Sequence, residues 1–313
     1  MIVRADTTGL GNQTWEIWRH LEPKVTVAVD FSRLSNHMPQ RRWMYPGERT
    51  IWTTWKGVGF NFDNEKAIRM LKTCDLIFSV ETFYDLRIPK LRVPAVLYVN
   101  PELFRGYGSP SYWAPTDWLV DKLPEGTRVV PFPVATDRPY RKGTGFLHVA
   151  GRTHDRNGTR AAATACHQLG VRLNTTHQIS LPSMQGSRHV GDVGDYWDLY
   201  QHGDCLIMPR RYGGMSLPVQ EALAAGLTVI MTDIAPNRRW PVKLVPGRHS
   251  TTRTVAGFSI PTCDVDIDKL RTAIRTIDTW RWELEEAQAE WVAANSWDTL
   301  LPVWQEALEA AAK

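Results

Sequence analysis

The sequence predicts an α/β protein of two Rossmann-like halves, and three observations carry that expectation. Short apolar runs alternate with helix-spaced segments along roughly the first 130 residues. A proline- and glycine-rich stretch, 131–145, then interrupts the alternation. Beyond it, the segment Pro209–Asp233 joins an apolar strand end, a glycine turn, a helix and a second apolar strand. Strands that are apolar throughout and separated by helices pair in parallel, with helices covering both faces.

The elements follow in order. Met1 to Arg4 begins a strand, Gly9-Leu-Gly11-Asn12-Gln13 reads as a turn, and Thr14 to Leu21 has the apolar spacing of a helix. Val25 to Val29 is a strand, Asn64 to Lys72 a helix, and Asp75 to Val80 and Pro94 to Val99 are further strands. The stretch 131–145 reads as a linker. Phe146 to Ala150 is a strand running into a turn, Leu227 to Met231 another strand, and Ile267 to Ile277 the last helix before the tail.

Composition agrees with a globular enzyme. The 313 residues are 43% hydrophobic and 22% charged, enough for two separate cores. No run of about twenty apolar residues and no basic-then-apolar leader is present, so neither a membrane span nor a cleavable signal is expected, and a cytoplasmic location is. Cys74, Cys166, Cys205 and Cys263 are scattered without metal or redox spacing and read as small buried residues; no required metal is expected. The net charge of +4 permits a polyanionic partner without requiring one.

The glycine turn carries the chemistry. Gly213-Gly214-Met215-Ser216 leads into a helix opening at Ser216-Leu217-Pro218. Such a turn offers backbone N–H groups and the positive end of a helix dipole to a phosphate or a sugar hydroxyl. Glu221 lies one turn into that helix, placed to reach a ligand diol. Read without a ligand, the same residues are a strand-to-helix turn closed by glycines.

This segment resembles the nucleotide-sugar signature of the retaining group 1 glycosyltransferases of GT-B architecture, a group that includes glycogen synthase-like and mannosyltransferase-like enzymes. The match runs through Gly214, Leu217, Pro218, Glu221, Ala222, Ala224, Gly226, Val229 and Ile230, and departs at Gly213, where the family carries a glutamate, and at Thr228, where it carries proline. Phe146-Leu-His-Val-Ala-Gly151-Arg152-Thr-His-Asp-Arg156-Asn157-Gly158 is similar to the family's strand and cationic turn, with Arg152 and Gly158 in register and Asn157 in the place of a lysine. Val190 to Pro209 resembles the strand, short helix and strand that precede the signature, and Ser296-Trp297-Asp298 with Trp304 resembles its terminal helix.

The resemblance implies two domains with a cleft between them: an acceptor domain over 1–143, a nucleotide-sugar domain over 144–285, and a terminal helix, 286–313, crossing back. It implies a UDP- or GDP-sugar as co-substrate and no permanently bound cofactor. Gly11, Asn12, Gly214, Met215, Ser216, Leu217 and Glu221 would bind the donor, with Glu221 on its ribose. Arg152 would stabilise the diphosphate, and the second cation would come from Arg156, from Arg210 or Arg211, or be absent. Catalysis would follow a front-face route with retention, the departing phosphate taking the acceptor's proton. Where many members place a histidine, Asn100 or Glu102 would stand, with Glu81 a further candidate.

The acceptor is open. From Arg33 to Lys56 the chain interleaves Arg41, Arg42 and Arg49 with Trp52 and Trp55, opposed only by Glu48. Cations suit phosphates and aromatic faces suit bases or sugar rings. The segment therefore fits a DNA acceptor, such as the hydroxymethylated pyrimidine of phage base-modifying transferases, as well as a protein or a glycan. A solvated loop over buried tryptophans is the plainer reading. Two other classes remain, a non-catalytic sugar-nucleotide or nucleic-acid binding module and a GT-B epimerase.

Overall fold

The computed structural model describes all residues except 7, 32–44, 46, 48, 55–60, 105, 107, 109, 151–154, 177–186, 192, 194, 256 and 257. The chain forms two compact units, Met1–Phe132 with Leu300–Lys313, and Pro133–Thr299. Both are α/β, with helices around parallel sheets.

The first unit contains β1 (Ile2–Arg4), α1 (Gly9–Leu21), β2 (Thr26–Asp30), β3 (Thr50–Thr54), α2 (Glu65–Leu71), β4 (Ile77–Val80), β5 (Ala95–Tyr98), β6 (Ser111–Ala114) and β7 (Arg128–Val129). All pairings in its sheets β1-β2-β3 and β4-β5-β6-β7 are parallel, and β1 runs beside β4. Ile2, Val27, Val29, Ile77, Leu97 and Val99 meet Ala67, Ile68 and Leu71 of α2 in one core.

One expectation is corrected here. Gly9 to Gln13 is the first turn of α1 and not a loop. The Thr8 hydroxyl accepts from the Gly11 N–H and so caps the helix, while Asp6 accepts from the Thr8 N–H and hydroxyl. A Cβ at position 11 would stand 1.9 Å from the Asp6 carbonyl oxygen, so the glycine lets the helix start pass against the end of β1. Two glycines close together had suggested a loop, but capping and close packing account for Gly11.

The second unit contains β8 (Phe146–Val149), α3 (Thr159–Gln168), β9 (Leu173–Thr176), β10 (Ser187–His189), β11 (Cys205–Met208), α4 (Leu217–Ala224), β12 (Thr228–Thr232) and β13 (Lys243–Val245). A hairpin of β14 (Gly247–Val255) and β15 (Phe258–Val265) follows, then α5 (Ile267–Arg275), α6 (Ile277–Trp280), α7 (Trp282–Ala294) and α8 (Trp297–Ala312). The sheet order is β10-β9-β8-β11-β12-β13, parallel throughout. Alternate residues of its strands face opposite layers. Cys205, Ile207 and Ile230 pack with Ala162 and Cys166 of α3 and with Leu270 and Ile274 of α5. Leu206, Met208, Val229 and Met231 pack with Val219 and Leu223 of α4.

From Leu300 onward α8 belongs to the first unit. Trp304 is fully buried there, its ring 5.2 Å from that of Tyr98 and 5.9 Å from that of Phe78, and its indole N–H donates to the Pro131 carbonyl at 2.9 Å. Among the described residues no helix is long and apolar enough to cross a membrane.

Candidate nucleotide-sugar site

In the second unit β8 and β11 are neighbours, but the chain leaves β8 toward β9 and leaves β11 toward β12. The loops after these two strands therefore diverge and open a crevice at their carboxyl ends, the place where open α/β sheets bind ligands. The sequence puts both signature segments at these two strand ends, 150–158 after β8 and 209–216 after β11.

The two loops are laced to each other. The Arg211 N–H donates to the Arg156 carbonyl at 2.8 Å. Gly158 adopts a left-handed φ of 73°, and a Cβ there would lie 2.1 Å from the Pro209 carbonyl oxygen. Asn157, in the lysine's place, is buried and donates its side-chain amide to the Val149 carbonyl at 2.9 Å, clipping its own loop to the strand end. Arg156, half-buried, is thus brought beside the glycine turn. Arg152 lies outside the described residues.

Below the turn, His148 is fully buried and bridges the two strands. One ring nitrogen meets the Ile207 carbonyl at 2.7 Å and the other the Thr159 hydroxyl at 2.8 Å. The carbonyl can only accept, so Nδ1 carries the proton and Nε2 accepts from Thr159. Burial lowers this imidazole's pKa to about 4, which keeps it neutral.

The glycine turn is braced from inside. Arg210 is 1% exposed, and its guanidinium donates to the carbonyls of Gly214 at 3.1 Å and Met215 at 2.9 Å. Arg211 pairs with Asp264. Arg210 thus orders the turn from within, and Arg211 ties it to β15. Gly213 has φ 119°, so the position where the signature carries glutamate is held in a conformation that favours glycine.

Helix α4 starts at Leu217, with Ser216 at its N-cap and Pro218 in the first turn. The Ser216 side chain makes no capping bond, so none of the opening N–H groups is taken up by it. Glu221, half-buried one turn along, accepts from the Tyr200 hydroxyl. Burial and then the Glu221 charge push the Tyr200 pKa well up, and the phenol stays a donor. Tyr200 escaped the sequence reading because the spacing Tyr196, Leu199, Tyr200 is that of a core face; only its position before β11 set it apart.

In the second unit Arg156, Gly214, Met215, Ser216, Leu217 and Glu221 thus lie on the loops and the helix start that follow the neighbouring strands β8 and β11. Gly11, Asn12, Asn100 and Glu102 belong to the first unit. Asn12 is half-buried on α1, its N–H bonded to the Thr8 carbonyl. Asn100 follows β5 and donates both its N–H and its side-chain amide to Glu81, which ends β4 with φ 64°. Glu102 is buried in the short turn Pro101–Leu103. Trp52 lies on β3; Arg41, Arg42 and Trp55 lie outside the described residues.

Comparison with known proteins agrees with this geometry. Residues 147–264 match the family described as glycosyl transferases group 1. No curated protein matches the chain. Among solved structures, sucrose-phosphate synthase from Thermosynechococcus elongatus aligns with a TM-score of 0.67 at 14% identity, covering 99% of this chain and 96% of that one. HepE from Anabaena, in complex with UDP, aligns with a TM-score of 0.63 at 12% identity over 99% of each chain. An E. coli structure described as trehalose-6-phosphate bound with UDP-2-fluoro glucose aligns with a TM-score of 0.59 at 11% identity over 98% of each. The chain thus has the α/β GT-B fold, and residues 147–264 match the group 1 glycosyl transferase family.

Proposed function

We propose that the protein is a retaining glycosyltransferase that moves a sugar from a nucleotide-diphosphate donor to an acceptor hydroxyl without a required metal. The observation that carries this reading is the meeting, at the β8/β11 crevice, of a braced glycine turn, the start of α4 and a held carboxylate at Glu221. The opening N–H groups around Ser216 and Leu217 take the diphosphate, and Glu221 takes the ribose diol. Arg152 and Arg156 neutralise the charge that grows on the leaving group, acting as electrostatic partners and not as nucleophiles. The UDP and UDP-glucose complexes of the structural neighbours support a UDP-sugar over a GDP-sugar.

In a front-face route the acceptor oxygen bonds to the anomeric carbon on the side from which the nucleotide departs. The glycosidic C–O bond to phosphate breaks, the freed phosphate oxygen takes the acceptor's proton, and configuration is retained. Asn100 and Glu102, with Glu81, are the first unit's candidates for contact with the sugar.

The test is nucleotide release from a panel of UDP- and GDP-sugars, with and without hydroxyl acceptors, and NMR of the anomeric proton of any product. Release of UDP with an α-product from an α-donor is expected. Tight donor binding without turnover on any acceptor would leave a binding module, and an inverted product would remove the retaining route.

A further inference from the structure

The two central strands of the second unit's sheet part early. β8 pairs with β9 from Phe146 to Val149, and β11 pairs with β12 from Cys205 to Met208, each over its full length. Between β8 and β11 the ladder holds only Phe146 with Cys205 and Leu147 with Leu206. The next pair in that register is His148 with Ile207, and there a side chain stands in for the backbone: the imidazole Nδ1–H reaches the Ile207 carbonyl at 2.7 Å. The parting of the strands that opens the crevice therefore begins at this ring, one residue before the end of each strand.

The same ring reaches the root of the adjoining loop. Nε2 accepts from the Thr159 hydroxyl at 2.8 Å, and Thr159 is the first residue of α3, directly after Gly158. One fully buried side chain thus fastens the point where the loop 150–158 ends to the point where β11 leads toward Pro209 and the glycine turn. An imidazole is a rigid plate whose donor and acceptor are fixed by the ring, so the spacing that it sets is not blurred by further torsions. Arg156 and the start of α4 both follow from these two roots.

We propose that His148 is a positioning residue for the donor: standing in for the ladder between β8 and β11, it fixes the spacing of the two loops that receive the nucleotide diphosphate. The proposal rests on the glycosyltransferase reading above.

The full chain and its His148→Leu, His148→Gln and Thr159→Val variants are titrated with UDP by calorimetry, with circular dichroism and melting alongside. Leucine removes both hydrogen bonds, valine at 159 removes one, and glutamine again offers a donor and an acceptor. His148→Leu raises the UDP Kd about tenfold or more and Thr159→Val about threefold, whereas His148→Gln stays within about twofold of the parent. The double variant His148→Leu/Thr159→Val binds no more weakly than His148→Leu, because both changes act through one ring. A stabilising role alone would lower the melting temperature and leave the Kd of the folded variants at the parent's value, and that result overturns the proposal. Glutamine as weak as leucine overturns it too, since the bridge would then not be what counts. If His148→Leu does not fold, Thr159→Val decides, and a parental Kd there is the overturning result. A parent that binds neither UDP nor GDP sinks the donor site itself and this proposal with it, whereas parental binding that the variants leave unmoved sinks the proposal alone.

Discussion

The Tyr200 hydroxyl donates to the Glu221 carboxylate, joining the short helix before β11 to the helix after it. A hydrogen bond to a charged group is worth about 1.5–3 kcal/mol, so Tyr200→Phe should raise the donor's Kd roughly tenfold while kcat at saturating donor changes little. Calorimetry with UDP measures the first and initial rates the second. Glu221→Gln should weaken donor binding in the same direction with melting near that of the parent. A Glu221→Gln protein that fails to fold would make this carboxylate structural.

Arg152 and Arg156 should act on the chemical step. Replacing either by alanine removes charge stabilisation of the leaving diphosphate, at a cost on the order of 2–4 kcal/mol in the transition state. Turnover should therefore fall by two orders of magnitude or more, with thermal stability close to the parent's. Turnover at the parent's level in Arg156→Ala would return the second cation's role to another residue.

Arg210→Met should behave in the opposite way. The substitution strips two carbonyl acceptors of their buried donor, and breaking such an arrangement costs about 1–3 kcal/mol per orphaned group. The melting temperature should drop, and donor affinity with it, because the turn that offers the N–H groups loses its brace. Unchanged melting would show that the guanidinium does not order the turn.

Gly158→Ala tests the lacing of the two loops. The new methyl meets the Pro209 carbonyl, and the left-handed backbone disfavours any side chain, so a loss of about 2 kcal/mol or more is expected. Urea denaturation of the variant reads this directly.

His148 sets a pH dependence. Its pKa in the fold, about 4, lies below the ordinary value of 6.5, so the unfolded chain takes up the proton first as the solution is acidified. Its contribution is complete above about pH 6.5 and declines between there and about pH 4, by up to roughly 3 kcal/mol. Chemical denaturation at pH 8, 6, 5 and 4 measures this slope, and His148→Gln should flatten it over that interval.

Three neighbouring strands of the second unit's sheet, β8, β11 and β12, were legible because they are largely apolar, whereas β9 (Leu173–Thr176), β10 (Ser187–His189) and β13 (Lys243–Val245) carry no such run. Leu227–Met231 and the strand beginning at Phe146 appear within a residue of where periodicity put them. The turn after β11 was legible for a different reason, since glycines followed by Ser-Leu-Pro specify a helix start. The hairpin β14–β15 was not read. Its first strand, Gly247–Val255, is rich in threonine, arginine and serine and lacks the apolar alternation that marks a half-buried strand. Arg210 read as one candidate for the second diphosphate cation, and its burial was not legible because sequence cannot tell a presented guanidinium from one enclosed by its own loop. Tyr200 was invisible for a related reason: its partner, Glu221, is 21 residues away and meets it only through the sheet.

The burial of Trp304 among Phe78, Tyr98 and Trp113 bears on how the protein can be dissected. The first unit is discontinuous in the gene, since its core is closed by residues translated after the whole of the second. Expressing Met1–Phe132 alone would leave an aromatic hole where that indole belongs, exposing rings that favour aggregation. A stand-alone first unit calls for 300–313 to be grafted through a linker onto its own carboxyl end. The second unit is one uninterrupted stretch, Pro133–Thr299, whose carboxyl boundary falls in the first turn of α8. During synthesis the amino-terminal unit is therefore completed only once residues 300–313 have been made.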